Sequence, residues 1–164
     1  RRFYGKDATY QEFKRQQHKY NIIHFAGHGI IDSQTPLLSE LEFFNQKVAM
    51  VDMFAMTTGA DLILLSACAT GLINPFQSNY LEDGLTHGFS KLFLYSGAKN
   101  VIATRWVIAD EPSGRLISNF YSNMIPLNKQ QPSYAQALAK AQRLEINRQT
   151  HPYFWSGFFL AKKM

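Results

Sequence analysis

The pattern of apolar and polar positions along the chain switches repeatedly between the period of a helix and that of a buried strand. Tyr10, Phe13 and Gln17 recur at the spacing of one helix face behind Thr9, whose hydroxyl suits an N-cap, so a helix is predicted from Tyr10 to Lys19. Asn21 to Phe25 is almost wholly apolar, as expected of a strand buried on both faces of a parallel sheet. Leu41 to Phe44 and Lys47 to Met50, around Asn45-Gln46, read as a small hairpin. Asp52 is placed to cap a short helix reaching Thr57, which Thr58-Gly59 ends, and Leu62 to Ser66 forms a second buried strand. Further on come a helix from Gly84 to Tyr95 closed by Ser96-Gly97 and a strand from Asn100 to Thr104. A helix running to Met124 follows, with Pro112 in its first turn and Asp110 and Glu111 at its positive end. Gln131-Pro132-Ser133 starts another helix over Tyr134 to Arg148, and Phe158 to Ala161 supplies a last strand. Strands alternating with helices predict an α/β fold built on a mainly parallel sheet.

With 164 residues, 46% of them hydrophobic, the chain has enough apolar material for the core of one domain. The formal net charge of +5 falls mostly in the two ends, on Arg1, Arg2, Lys6, Lys14, Arg15 and Lys19 and then Lys140, Arg143, Arg148, Lys162 and Lys163, which read as solvated helix faces. No nucleic-acid motif accompanies them, so direct contact with nucleic acid is not expected. No apolar run approaches the roughly 20 residues that cross a bilayer, and no membrane association is expected. A single cysteine forms no internal disulfide, in keeping with a reducing compartment, and the cytoplasm is the expected location.

That cysteine, Cys68, follows the apolar run Leu62-Ile63-Leu64-Leu65-Ser66 and precedes a small-residue turn. Upstream, Ile22-Ile23-His24-Phe25 breaks into Gly27-His28-Gly29 in the same way. Open α/β sheets bind ligands beyond the carboxyl ends of strands at a switch point, where both segments are expected to fall. Nucleophilic catalysis by cysteine needs a thiolate, a neighbouring base and donors for the oxyanion. Cys68 is the candidate nucleophile, His28 the candidate base, and the backbone N–H groups of Gly29 and Cys68 the candidate oxyanion donors. A lone cysteine ending an apolar strand is more often a small buried filler; the second strand end with its histidine favours catalysis. His24 reads as lying away from the turn, a satisfied core or near-site histidine. Ser66 lies inside its strand without the Gly-x-Ser-x-Gly pattern of a nucleophile elbow, and Gly27-His28-Gly29 does not complete a dinucleotide fingerprint. His18, His87 and His151 show no metal-ligand spacing, so no zinc site is expected. The stretch from Gly71 to Asp83 reads as a long loop over the site.

These residues carry a resemblance. Caspase-type sequences place Ala-Cys before a glycine with His-Gly roughly 50 residues upstream; here the interval is 68 − 28 = 40. The fuller string resembles the CHAT domain, a caspase-like cysteine peptidase module often joined to tetratricopeptide repeats. Four blocks match in order: His24-Phe25-Ala26-Gly27-His28-Gly29, Leu65-Ser66-Ala67-Cys68-Ala69-Thr70-Gly71, Gly97 to Trp106 with Asp110, and His151-Pro152-Tyr153-Phe154-Trp155-Ser156-Gly157-Phe158. The likeness begins at Tyr4 and extends over nearly the whole chain. It implies a caspase-like sandwich of helices about a mainly parallel sheet, one peptidase domain over residues 1–164, and His28 and Cys68 as a dyad that hydrolyses a protein substrate without metal or organic cofactor. It also implies an origin in the carboxy-terminal part of a longer protein, with an amino-terminal repeat or sensor region as partner and activator. Two other readings remain: a catalytically silent interaction module on the same fold, and a different Cys-dependent hydrolase. For the substrate pocket, Asp110, Asp32, Glu82 and Asp83 are candidate carboxylates for a basic side chain. Asp110 equally suits a plain helix-terminus role.

Overall fold

In the computed structural model, which describes residues 1–32, 34–68, 88–125 and 132–163, with positions 67 and 68 as backbone, the strands in chain order are β1 (Ile22–Ile30), β2 (Glu40–Phe43), β3 (Gln46–Ala49), β4 (Leu62–Cys68), β5 (Asn100–Thr104) and β6 (Phe158–Lys162). The helices are α1 (Tyr10–Gln16), α2 (Met50–Met53), α3 (Gly88–Tyr95), α4 (Asp110–Met124) and α5 (Tyr134–Asn147). The strands form one sheet in the order β3-β2-β1-β4-β5-β6. β4 runs parallel to β1 and to β5, whereas β2 and β3 form an antiparallel hairpin beside β1. The fold is thus the mixed α/β arrangement expected, a mainly parallel sheet flanked by helices. The chain divides into two compact units, residues 1–107 with 161–164, and residues 108–160.

In the first unit, the Thr9 hydroxyl accepts from the N–H of Glu12 at 3.2 Å and caps α1 as predicted. The helix stops at Gln16 rather than Lys19. Beyond it the Thr58 hydroxyl donates to the Gln17 carbonyl at 3.3 Å, which draws that carbonyl out of the helical ladder. Tyr10, Phe13 and Phe25 surround Phe43 with ring centroids 5.2, 5.7 and 5.3 Å away, in the tilted and edge-on geometries aromatic rings prefer. This cluster joins α1 to the sheet.

The two central strands differ from expectation. β1 was expected to end at Phe25 and to be buried on both faces; it continues through Gly27-His28-Gly29 to Ile30, and Ile22, His24, Ala26, His28 and Ile30 line an exposed face. Glycine weakens a strand, but here β4 flanks the backbone through His28 and β2 flanks it from Gly29 onward. Each residue of Gly27-His28-Gly29 thus has a ladder partner on one side, β4 and then β2, and the paired backbone stays extended. β4 likewise runs two residues past Ser66, so Cys68 closes the strand.

The hairpin forms as predicted, its turn one residue earlier, because the N–H of Phe44 is held by the Ala8 carbonyl at 3.0 Å. Asp52 does not cap α2: it lies in the first turn of a helix whose N-cap, Ala49, makes no side-chain bond. Burial of Met50 and Met53, three residues apart on one face, accounts for this helix better than capping does. Gly97 closes α3 with φ of +114°, and a Cβ there would sit 2.3 Å from the Thr58 carbonyl oxygen, so only glycine fits. Gly84 to His87, the predicted start of this helix, lie outside the described residues. β5 matches its predicted limits.

The second unit holds α4 packed on α5. Ser133 and Gln136 form a reciprocal capping box: the Ser133 hydroxyl accepts from the Gln136 N–H and the Gln136 side-chain oxygen accepts from the Ser133 N–H. Glu145, only 1% exposed, sits between the two helices. Its carboxylate accepts from Arg115 of α4 at 2.8–3.1 Å, from Arg148 at 3.1 Å and from the Thr150 hydroxyl at 3.0 Å. Arg115 also pairs with Glu111. The Arg115 hydrogen bonds lead in holding the Glu145 carboxyl below the usual carboxylate range, against the opposing effect of burial. The Gln142 amide donates to the carbonyls of Trp155 and Phe158, each at 3.1 Å, tying the terminal segment to α5.

Candidate functional site

Seven consecutive residues of β1 face seven of β4, from Ile22 opposite Leu62 to His28 opposite Cys68. The last rung is therefore the histidine and the cysteine, on strands about 4.8 Å apart by the ordinary spacing of a sheet. After β1 the chain leaves toward β2 on one side, and the strands following β4 lie on the other. The carboxyl ends of β1 and β4 therefore diverge, which makes a switch point. Both residues were anticipated at strand ends beyond the ladder; both lie within it.

His28 is on the exposed face of β1. Gly29, the other candidate oxyanion donor, is buried and stands opposite Leu41 of β2 rather than in a loop. At Gly27 an added Cβ would come 3.1 Å from the Phe25 ring, so a small residue there lets the aromatic cluster approach the strand.

His24 has a partner, as expected of a satisfied core or near-site histidine. Four residues before His28 on a strand, it shares the same face. Its Nε2 is 2.5 Å from the Ser66 hydroxyl of β4, which is half-buried. Although the ring is on the open face, loss of hydration lowers its pKa below the usual histidine value. This pair was missed in sequence. The signal was present, in the four-residue spacing of His24 and His28 and the two-residue spacing of Ser66 and Cys68, once both segments are taken as continuous strand.

The candidate pocket carboxylates fare differently. Asp32 Oδ1 accepts from the N–H groups of Gln34 and Thr35 at 2.9 and 2.8 Å, a side-chain turn that commits the group to shaping its own loop. Asp110 is exposed in the first turn of α4, in the second unit. Glu82, Asp83 and the Gly71 to Asp83 stretch lie outside the described residues. Among the described residues no three His, Cys, Asp or Glu side chains gather in a way that would hold a metal ion, and no helix is long and apolar enough to cross a membrane.

A family model described as the CHAT domain matches residues 1–163. The chain belongs to the CHAT domain family. A search of curated proteins found no match. The matching sequence blocks fall on the parts of this CHAT domain just described: His24–Gly29 in β1, Leu65–Cys68 at the end of β4, Asn100–Thr104 as β5, and His151–Phe158 across a short turn, capped by the His151 ring, into β6. Membership places the domain among caspase-like proteins, and its sheet order and flanking helices fit that sandwich.

Proposed function

We propose that this CHAT domain is a cysteine endopeptidase with Cys68 as nucleophile and His28 as general base and acid. The observation that supports it is the register, His28 opposite Cys68 at the diverging ends of two central parallel strands. Positions 28 and 68 are paired rungs of one parallel ladder, a placement suited to a histidine base serving a cysteine nucleophile. The thiolate attacks the scissile carbonyl, and the backbone N–H groups of Gly29 and Cys68 are assigned to the oxyanion. The tetrahedral intermediate collapses to a thioester as the amine departs with the proton from His28. Water, deprotonated by the same imidazole, then releases the acid and restores the thiol. Each step balances without a metal or organic cofactor.

The substrate in this reading is an extended segment of a protein, and a repeat or sensor region joined to the domain is its activating partner in the cytoplasm. The test is alkylation of Cys68 by iodoacetamide, read by mass spectrometry with and without His28→Ala, alongside cleavage of a peptide library by the full-length protein. Alkylation at neutral pH that slows at least tenfold without His28, together with library cleavage lost in Cys68→Ala, supports the peptidase. A thiol indifferent to His28, with no cleavage under any condition, supports an interaction module instead.

A further inference from the structure

His28 has a neighbour on the side away from Cys68. The ladder between β1 and β2 pairs Ile30 with Glu40 and Gly29 with Leu41. In an antiparallel pair one strand counts up as the other counts down, so the next row sets Glu42 beside His28. Two contacts keep the strands alongside at that point: a Cβ at Gly27 would lie 3.6 Å from the Glu42 carbonyl oxygen, and the Phe25 and Phe43 rings meet at 5.3 Å on the opposite face. His28 and Glu42 are both exposed, while Gly29 and Leu41, one step along, are both buried, as alternation requires of partners that share a face. Glu42 also pairs with Lys47 of β3, and His28 with Cys68 of β4. Across four strands the row runs Lys47, Glu42, His28, Cys68.

Resting on the peptidase reading, we infer that Glu42 is a positioning residue for His28. Its carboxylate accepts from the imidazole nitrogen that does not take the thiol proton, which fixes the tautomer of the ring and favours the imidazolium formed when the proton leaves the sulfur. Facing residues of an antiparallel pair have Cβ atoms about 4.5–5.5 Å apart, a gap that a glutamate side chain spans. No hydrogen bond joins the two side chains in this structure, but both are exposed and rotate toward each other without repacking the core. A charged ring strengthens the bond, so the contact belongs to the state in which the thiolate exists. Lys47 competes weakly for the carboxylate, because an exposed lysine–glutamate pair contributes little. Glu40 lies on the same face but stands opposite Ile30. The sign of the effect separates this role from that of a bare charge. A carboxylate acting on Cys68 through space alone disfavours the thiolate, whereas one acting through His28 favours it.

The experiment measures the rate at which iodoacetamide alkylates Cys68 in the full-length protein at neutral pH, followed by mass spectrometry. It compares the parent with Glu42→Gln, Glu40→Gln, His28→Ala and the double variant that combines Glu42→Gln with His28→Ala. Glu42→Gln is expected to slow alkylation about threefold or more, the loss of one charge-assisted hydrogen bond. Glu40→Gln, which removes the same charge from the same face one row away, is expected to stay within about twofold of the parent. In the His28→Ala background Glu42→Gln is expected to leave the slow rate unchanged or raise it slightly, a non-additivity that a general loss of structure does not produce. Alkylation unchanged or faster in Glu42→Gln, an equal slowing by Glu40→Gln, or an equal slowing by Glu42→Gln with and without His28 overturns the positioning role alone, provided the thiol depends on His28. A thiol indifferent to His28→Ala overturns the peptidase reading, and the role of Glu42 falls with it.

Discussion

β1 and β4 are adjacent, parallel and in register, yet they are filled in opposite ways. β4 presents Leu62, Ile63, Leu64 and Leu65 in succession, none more than 1% exposed, so it is closed on both faces. β1 places Ile23, Phe25 and Gly27 toward the aromatic cluster and leaves His24, Ala26 and His28 open. One strand supplies rigidity and the other access. If His28 and Cys68 act as proposed, the base stands on an open strand and the nucleophile follows a fully packed run, a division of labour suited to a site that must be both held and exposed.

Substitutions test this division, starting with the largest effect. Cys68→Ala is expected to leave less than a few per cent of peptide cleavage, and His28→Ala to lower it by about 10²–10⁴-fold, the usual contribution of a general base. Because His28 lies on the open face, the melting temperature of His28→Ala should stay close to the parent's. Unfolding of that variant would show β1 to be as structural as β4.

Next in size, Leu65→Ala is expected to cost about 2–5 kcal/mol in urea denaturation, the range for emptying a packed leucine site. Ile22→Ala, where the side chain is 39% exposed, should cost less than about 1 kcal/mol. Comparable losses at both would erase the contrast between the strands. Gly27→Ala should fall between them at about 1 kcal/mol, since the Phe25 ring 3.1 Å from the new methyl must shift by a few tenths of an ångström.

The smallest effect is a pH dependence. His24 titrates below its unfolded value of 6.5, so its contribution to stability is complete above that pH and is lost as the pH falls from 6.5 toward the folded pKa. His24→Gln should flatten the stability curve in that window, as followed by thermal melts. Glu145, also lowered, acts in a separate range: its contribution is present above its unfolded value of 4.5 and declines only below it. A slope unchanged by His24→Gln would show that the ring is hydrated like a free histidine.

Where propensity, capping and burial agree, the sequence was enough. β5, the hairpin, α4 and α5 with its Ser133 cap lie within a residue or two of where the pattern puts them. Its failures on the two central strands share one cause. Gly27-His28-Gly29 looks like the end of a strand because glycine has little strand preference, and only pairing with β4 and then β2, set by residues further along the chain, keeps that backbone extended. The same hidden register concealed the His24–Ser66 contact, whose partners are 42 positions apart. Asp32 is a different case: the pattern gives no sign that its Oδ1 accepts from the N–H groups of Gln34 and Thr35.

The Glu145 cluster has a consequence for how this molecule tolerates change. Arg115, Arg148 and Thr150 converge on one carboxylate, so the arrangement is a hub with spokes. Losing a spoke leaves the others in place, and the buried acid remains neutralised. Losing the hub removes the shared acceptor of all three at once and leaves Arg115 only Glu111. Mutational damage in this region should therefore be lopsided, with a single position intolerant of replacement and its partners individually expendable.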